Sequence, residues 1–180
     1  MRRMWRGLVG DLTDAQSAAV LLAAAGSAGA VWWRTRADGP AAALAMGVVA
    51  FDLVGGLVAF PLPGTRERYA ATGPAARVGF AVVHVQPFVL PLTRQGSLRS
   101  AAWRYGGAVT ATVLLEVLDP GRRRILANAV AAALSAVDLA TSAGSPQRWL
   151  GPVYLVKVIG GHGGIAKRGA TLGRSWAWPT

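Results

Sequence analysis

Residues 40–61, PAAALAMGVVAFDLVGGLVAFP, are long and apolar enough to cross the ~30 Å hydrocarbon core of a bilayer, yet they carry a carboxylate, Asp52, at the middle. A lone acid at mid-bilayer costs roughly 2.5–3.5 kcal/mol on insertion scales, so it faces a bundle interior or a wet cavity and has a partner. The rest of the chain is of the same kind: 53% of its residues are hydrophobic and 15% charged, and the apolar residues come in blocks separated by short, arginine-bearing connectors. In 180 residues there is room for about six spans of roughly 20 residues each and little else. The expected fold is an all-α, polytopic transmembrane bundle forming a single integral membrane domain over residues 1–180. Cysteine is absent, which removes disulfides, thiol redox chemistry and thiolate metal sites.

The expected spans cover residues 16–33, 40–61, 78–92, 101–118, 125–143 and 149–165. The first ends in Trp32-Trp33 followed by Arg34 and Arg36, aromatic and then cationic, as a span meets the interface. Its small-residue run 25–30 would also suit a signal peptidase, but its apolar run is longer than a signal core and we read it as a retained helix. The loop over residues 62–77 is polar and turn-rich. Pro87 and Pro91 break the third span and free backbone carbonyls that neighbours or water must satisfy. The sixth contains Gly-Gly-His-Gly-Gly, a poor helix interior; if it turns back, five spans remain.

Lys and Arg in the connectors orient the bundle. Twelve lie on one side: Arg2, Arg3 and Arg6; Arg66, Arg68 and Arg77; Arg122, Arg123 and Arg124; and Lys167, Arg168 and Arg174 in the tail. Six lie on the other, namely Arg34, Arg36, Arg94, Arg99, Arg104 and Arg148. Six spans with both termini cytoplasmic, in the cell membrane, follow from that imbalance. The net charge of +11 then reflects attraction to anionic lipid headgroups, and because the cations flank apolar spans instead of forming one groove, no nucleic-acid partner is expected.

Chemistry at membrane depth needs ionisable groups, and five residues supply them: Asp52, His84, Glu116, Asp138 and Lys157. Gly55 and Gly56 sit one turn from Asp52 on the same helix face, where missing side chains admit a neighbouring helix or a ligand. Each group also has a purely structural explanation. Asp52 or Asp138 can pair with Lys157, His84 can be satisfied by a carbonyl, and Glu116 can reach the Arg122–Arg124 cluster. Asn128, Ser135, Asp138 and Ser142 recur at helical spacing as a polar stripe, and interhelical hydrogen bonds of about 0.6 kcal/mol each account for all but the carboxylate. His84 and His162 lack ligand spacing, so no metal is expected, and the glycine-rich 160–167 run is not a phosphate-binding loop, so no cofactor is expected either.

Three functions remain. The first is an intramembrane acid–base enzyme acting on a lipid-soluble, isoprenoid-like substrate by protonation-initiated cyclisation or isomerisation. In it Asp52, Asp138, Glu116 and His84 are the candidate catalytic groups, and Phe51, Phe60, Phe80, Phe88, Trp103 and Tyr105, with Lys157, are the candidate substrate contacts. In layout, with Asp52 and Asp138 or Glu116 as intramembrane acids, the chain resembles the integral membrane terpene cyclases, and that resemblance implies a membrane-bound cyclase or isomerase. The second is a small proton-coupled transporter or channel subunit, with a homo-oligomer supplying the symmetry that the sequence lacks. The third is an accessory subunit whose buried charges pair with another membrane protein.

Overall fold

The computed structural model describes residues 2–118 and 120–165, and among them every regular element is a helix. The chain begins with α1 (Arg2–Val9) and α2 (Asp14–Thr35), which runs into a 3-10 turn at Arg36–Asp38. Thr13 caps α2 reciprocally: its hydroxyl accepts from the Gln16 amide while the Gln16 side chain accepts from the Thr13 amide. Proline at the first turn starts α3 (Pro40–Ala59), α4 (Pro63–Ala70) and α5 (Pro74–Val83), where its missing N–H has no helical partner to lose. A 3-10 turn at Gln86–Phe88 leads to the short α6 (Val89–Leu92). Ser97 caps α7 (Leu98–Glu116), and α8 (Pro120–Thr141) and α9 (Leu150–Leu155) follow, the last continuing as a π-helix over Val156–Gly163.

Four segments are long and apolar enough to cross a membrane: Asp14–Asp38, Pro40–Ala59, Pro74–Leu92 and Gly121–Thr141. They match the first, second, third and fifth expected spans. The fourth, over 101–118, exists as α7 but does not qualify, because Arg99 and Arg104 dilute its apolar content. The sixth is divided between α9 and the π-helix. Its glycines do not end the helix, contrary to expectation, because neighbours occupy the space side chains would take: a Cβ on Gly160 would lie 3.0 Å from Asn128 Oδ1, and one on Gly161 3.1 Å from the Phe60 ring. Tertiary packing here outweighs helix propensity. The loop expected at 62–77 is largely helical, as α4 and the start of α5. Asp119 and the tail cations Lys167, Arg168 and Arg174 lie outside the described residues.

The sixth expected span is the most buried. Leu150, Tyr154, Leu155, Val158 and Ile159 are almost fully enclosed and form the middle of the core with Met46 and Leu53 of α3, Ala108 and Leu115 of α7, and Ala127 and Ala131 of α8. In contrast α2 buries little beyond Val20, Ala24 and Thr35 and packs as an outer helix against α3. Small residues allow the close approach: Gly47 meets the Ala28 carbonyl, Gly55 meets Ala24, and Ser27 Oγ donates to the Ala50 carbonyl at 3.2 Å.

The proline break after α5 leaves four carbonyls near the bundle centre, and each finds a donor. His84 Nδ1 reaches the Phe80 carbonyl at 2.6 Å, Tyr105 donates to Val82 at 2.9 Å, the Val85 amide donates to Val83 at 3.0 Å, and Tyr154 donates to His84 at 2.9 Å. The break is thereby fixed as rigid structure next to Asp52.

Candidate functional site

Asp52 on α3 faces the π-helix and the break after α5. Lys157 Nζ donates to Asp52 Oδ2 at 2.6 Å and Gln86 Nε2 donates to the same oxygen at 2.8 Å. No described residue donates to Oδ1, and the Asp52 side chain remains 45% exposed while that of Lys157 is only 2% exposed. The pair is therefore asymmetric: a dry ammonium bound to a carboxylate with one oxygen open. Gly56 makes this possible, because a Cβ there would collide with the Lys157 side chain. Lys157 Nζ also stands 6.0 Å above the Phe80 ring, on its electron-rich face.

The open side of Asp52 borders a cavity of about 310 Å³, within the size range of small-molecule sites. Val20, Leu21, Phe51, Ala59, Phe60 and Phe80 form its apolar wall, with Asp52, His84 and Lys157 as its polar members. His84 commits Nδ1 to the Phe80 carbonyl, so as a neutral ring it keeps Nε2 as an acceptor. Its ring lies 3.8 Å from that of Phe80, whose centroid is also 3.8 Å from that of His162. His162, on the π-helix, is enclosed by Phe60, Tyr69 and Phe80, and neither ring nitrogen has a hydrogen-bond partner among the described residues.

Trp5 and Leu8 of α1 and Thr65 and Tyr69 of α4 close one end of the cavity. The two helices are stitched together by Tyr69 donating to the Leu8 carbonyl at 3.0 Å, Arg68 Nε donating to Gly7 at 3.3 Å, and Thr65 donating to Val9. Gly10 takes φ = 80° where the chain presses onto Gly64, and no side chain would fit there. Burial pushes the Tyr69 hydroxyl above its usual pKa, keeping it a neutral donor.

The other two expected acids are elsewhere. Asp138 receives a bidentate pair from Arg104, Nε to Oδ1 at 2.7 Å and Nη2 to Oδ2 at 3.1 Å, with both side chains buried. Glu116 is held by Arg77 at 2.6 and 2.8 Å and by Arg123 Nη1 at 3.1 Å. A second carboxylate beside Asp52 is thus not what the fold assembles: arginine neutralises both alternatives. Arg77 and Arg104, expected as connector cations, are buried within α5 and α7. Gly151 leaves the room in which Asp138 and Arg104 meet, and its Cβ would overlap both. Gly151→Ala should lower stability by about 1–3 kcal/mol, read as a fall in the unfolding midpoint in detergent.

Of the expected aromatic contacts, Phe51, Phe60 and Phe80 line the cavity. Phe88 packs on Tyr105 at 5.4 Å, and Trp103 is half exposed; these three lie outside it. The cavity residues not anticipated are Trp5, Leu8, Thr65 and Tyr69. Their spacings, three and four apart, are the helical signal that marked them.

A second cavity, of about 270 Å³, lies between α4, the start of α8 and the π-helix. Arg66, Arg124 and Asn128 stand on its wall, and Phe60 and Lys157 line both cavities. Among the described residues no three His, Asp or Glu side chains converge as metal ligands. No protein-family model, curated protein or solved structure matches the chain, so its function rests on the geometry of this site.

Proposed function

We propose that this chain is an intramembrane acid–base enzyme acting on a lipid-soluble small molecule, with Asp52 as the base. The bundle crosses the cell membrane six times with both termini cytoplasmic, α7 and the α9–π-helix segment joining the four more apolar segments as spans. One observation carries the reading: a carboxylate with one oxygen tied to a buried ammonium and the other open to an aromatic-walled cavity. In that setting Asp52 Oδ1 takes a proton from a substrate carbon, the electron pair shifts along an adjacent unsaturated system, and the proton returns at a different carbon. Lys157 stays in place and stabilises negative charge, while His84 Nε2 orients the substrate by accepting a hydrogen bond. Isomerisation fits this site better than protonation-initiated cyclisation, since Asp52 is partnered by a cation and no second carboxyl stands beside it.

The test uses purified protein, linear polyprenyl compounds and their epoxides in deuterated water, with lipid extracts analysed by mass spectrometry. Solvent deuterium or an isomeric product is expected with the natural chain, and a drop of about 10²–10⁴-fold with Asp52→Asn. Absence of both from every substrate with the natural chain would sink the reading. A second reading, a proton-coupled carrier, is favoured by one feature: Phe60 and Lys157 form the partition between two cavities. Asp52-dependent acidification of proteoliposomes would support it over catalysis.

A further inference from the structure

The second cavity carries positive charge that no carboxylate among the described residues neutralises. Among the described residues Arg77, Arg104 and Arg123 are each paired with a carboxylate. Arg66 and Arg124, on the cavity wall, are paired with none, and no Asp or Glu lines the cavity. Arg124 and Asn128 are one turn apart on α8 and so share a face, while Arg66 comes from α4. The third wall is the π-helix, where Gly160, Gly161 and Gly164 keep the backbone bare. A Cβ on Gly160 would come 3.0 Å from Asn128 Oδ1 and narrow the gap between the two helices.

Two guanidinium forks from different helices, with an amide beside one of them, suit a group offering several charged oxygens in three dimensions. A tetrahedral phosphate does so, whereas a flat carboxylate engages one fork. Lys157 adds positive potential from the floor but has its own carboxylate. Lys157 and Phe60 separate this cavity from the first, on whose wall Asp52 lies. We infer that the second cavity binds a phosphate group, free or as the headgroup of a lipid-soluble molecule, through Arg66, Arg124 and Asn128. The phosphate site itself stands on Arg66, Arg124 and Asn128.

The experiment titrates the full chain in a neutral detergent with dodecyl phosphate, dodecanol and inorganic phosphate, read by calorimetry and by the unfolding midpoint. Dodecyl phosphate should bind saturably, with dodecanol weaker by about tenfold or more, as expected when charge-assisted bonds are lost. The Arg66→Gln/Arg124→Gln pair should weaken dodecyl phosphate by a similar factor. Arg99→Gln/Arg148→Gln removes the same charge at the other end of the bundle and should leave binding unchanged. Competition by inorganic phosphate assigns the site to a free anion, and failure to compete assigns it to a headgroup; both are phosphate sites and both support the inference. Equal loss in the two double variants, or dodecanol binding as tightly as dodecyl phosphate, would overturn it. If the glutamine pair misfolds, Arg66→Lys/Arg124→Lys decides: several-fold weaker binding supports the forked contacts, and unchanged binding rejects them. Asp52→Asn should bind dodecyl phosphate at least as tightly as the natural chain, since Lys157 on the cavity wall loses its carboxylate, so loss of turnover and loss of this site are read separately.

Discussion

Asp138→Leu is expected to destabilise the protein by about 3–5 kcal/mol, the typical result of removing one partner from a buried ion pair. Arg104 is left behind with a side chain only 3% exposed, and among the described residues the Asp138 carboxylate is its one partner, held through two bonds at 2.7 and 3.1 Å. Gly151 presents bare backbone where the pair meets α9 and supplies no side chain in its place. The double variant Arg104→Met/Asp138→Leu should recover most of the loss, because an apolar pair of similar volume leaves no charge behind. Unfolding midpoints of the two variants in detergent check both statements, and a tolerated single variant would mean that water reaches Arg104. Glu116 offers a useful contrast. Two arginines share it, and Arg77 also donates to the Thr72 carbonyl while Arg123 donates to the Glu116 and Leu118 carbonyls, so Glu116→Gln leaves both cations partly satisfied. Its effect should be the smaller of the two.

The membrane helices were legible because length and apolar content are local properties: Pro40 opens α3, and the run to Ala59 follows the expected segment closely. The centre of the candidate site was half legible. Asp52 and His84 stood out as ionisable groups at membrane depth, and Lys157 had two candidate mates, Asp52 and Asp138. Choosing between them required knowing that Arg104 takes Asp138, and Arg104 reads as a connector cation unless the helix is started at Ser97. The Ser97 cap carries that information, since it places Arg104 nearly two turns inside α7. The polar stripe on α8 is not one feature. Ser142 bonds the Asp138 carbonyl of its own helix at 2.6 Å, Asp138 meets Arg104, and Asn128 opens on the second cavity. Periodicity identifies a shared face, and only packing tells what meets it. The cap formed by α1 and α4 lay beyond a reading tuned to apolar runs, because both helices are short and rich in arginine and their apolar residues are few.

The asymmetry of the Asp52–Lys157 pair makes its two single truncations unequal. Asp52→Leu strands an ammonium whose side chain is 2% exposed and should cost about 3 kcal/mol, the low end for a broken buried pair because the neighbouring Gln86 amide has an unpartnered Oε1. Lys157→Met leaves a carboxylate that is 45% exposed toward the cavity and keeps the Gln86 amide, and should cost less than Asp52→Leu. A pair serving stability alone, equally dry on both sides, would give equal losses. Under the proposed function turnover responds differently, since the base is gone in one variant and its stabilising cation in the other, so both lose it. Asp52→Asn separates the two effects: the amide oxygen still accepts from Lys157, which limits the loss of stability, while the group can no longer take a proton. Unfolding midpoints that fall in the order Asp52→Leu, then Lys157→Met, with Asp52→Asn stable and inactive, are the pattern expected of a carboxylate held for proton transfer. Equal midpoints for the first two would show instead that the cavity does not reach Asp52.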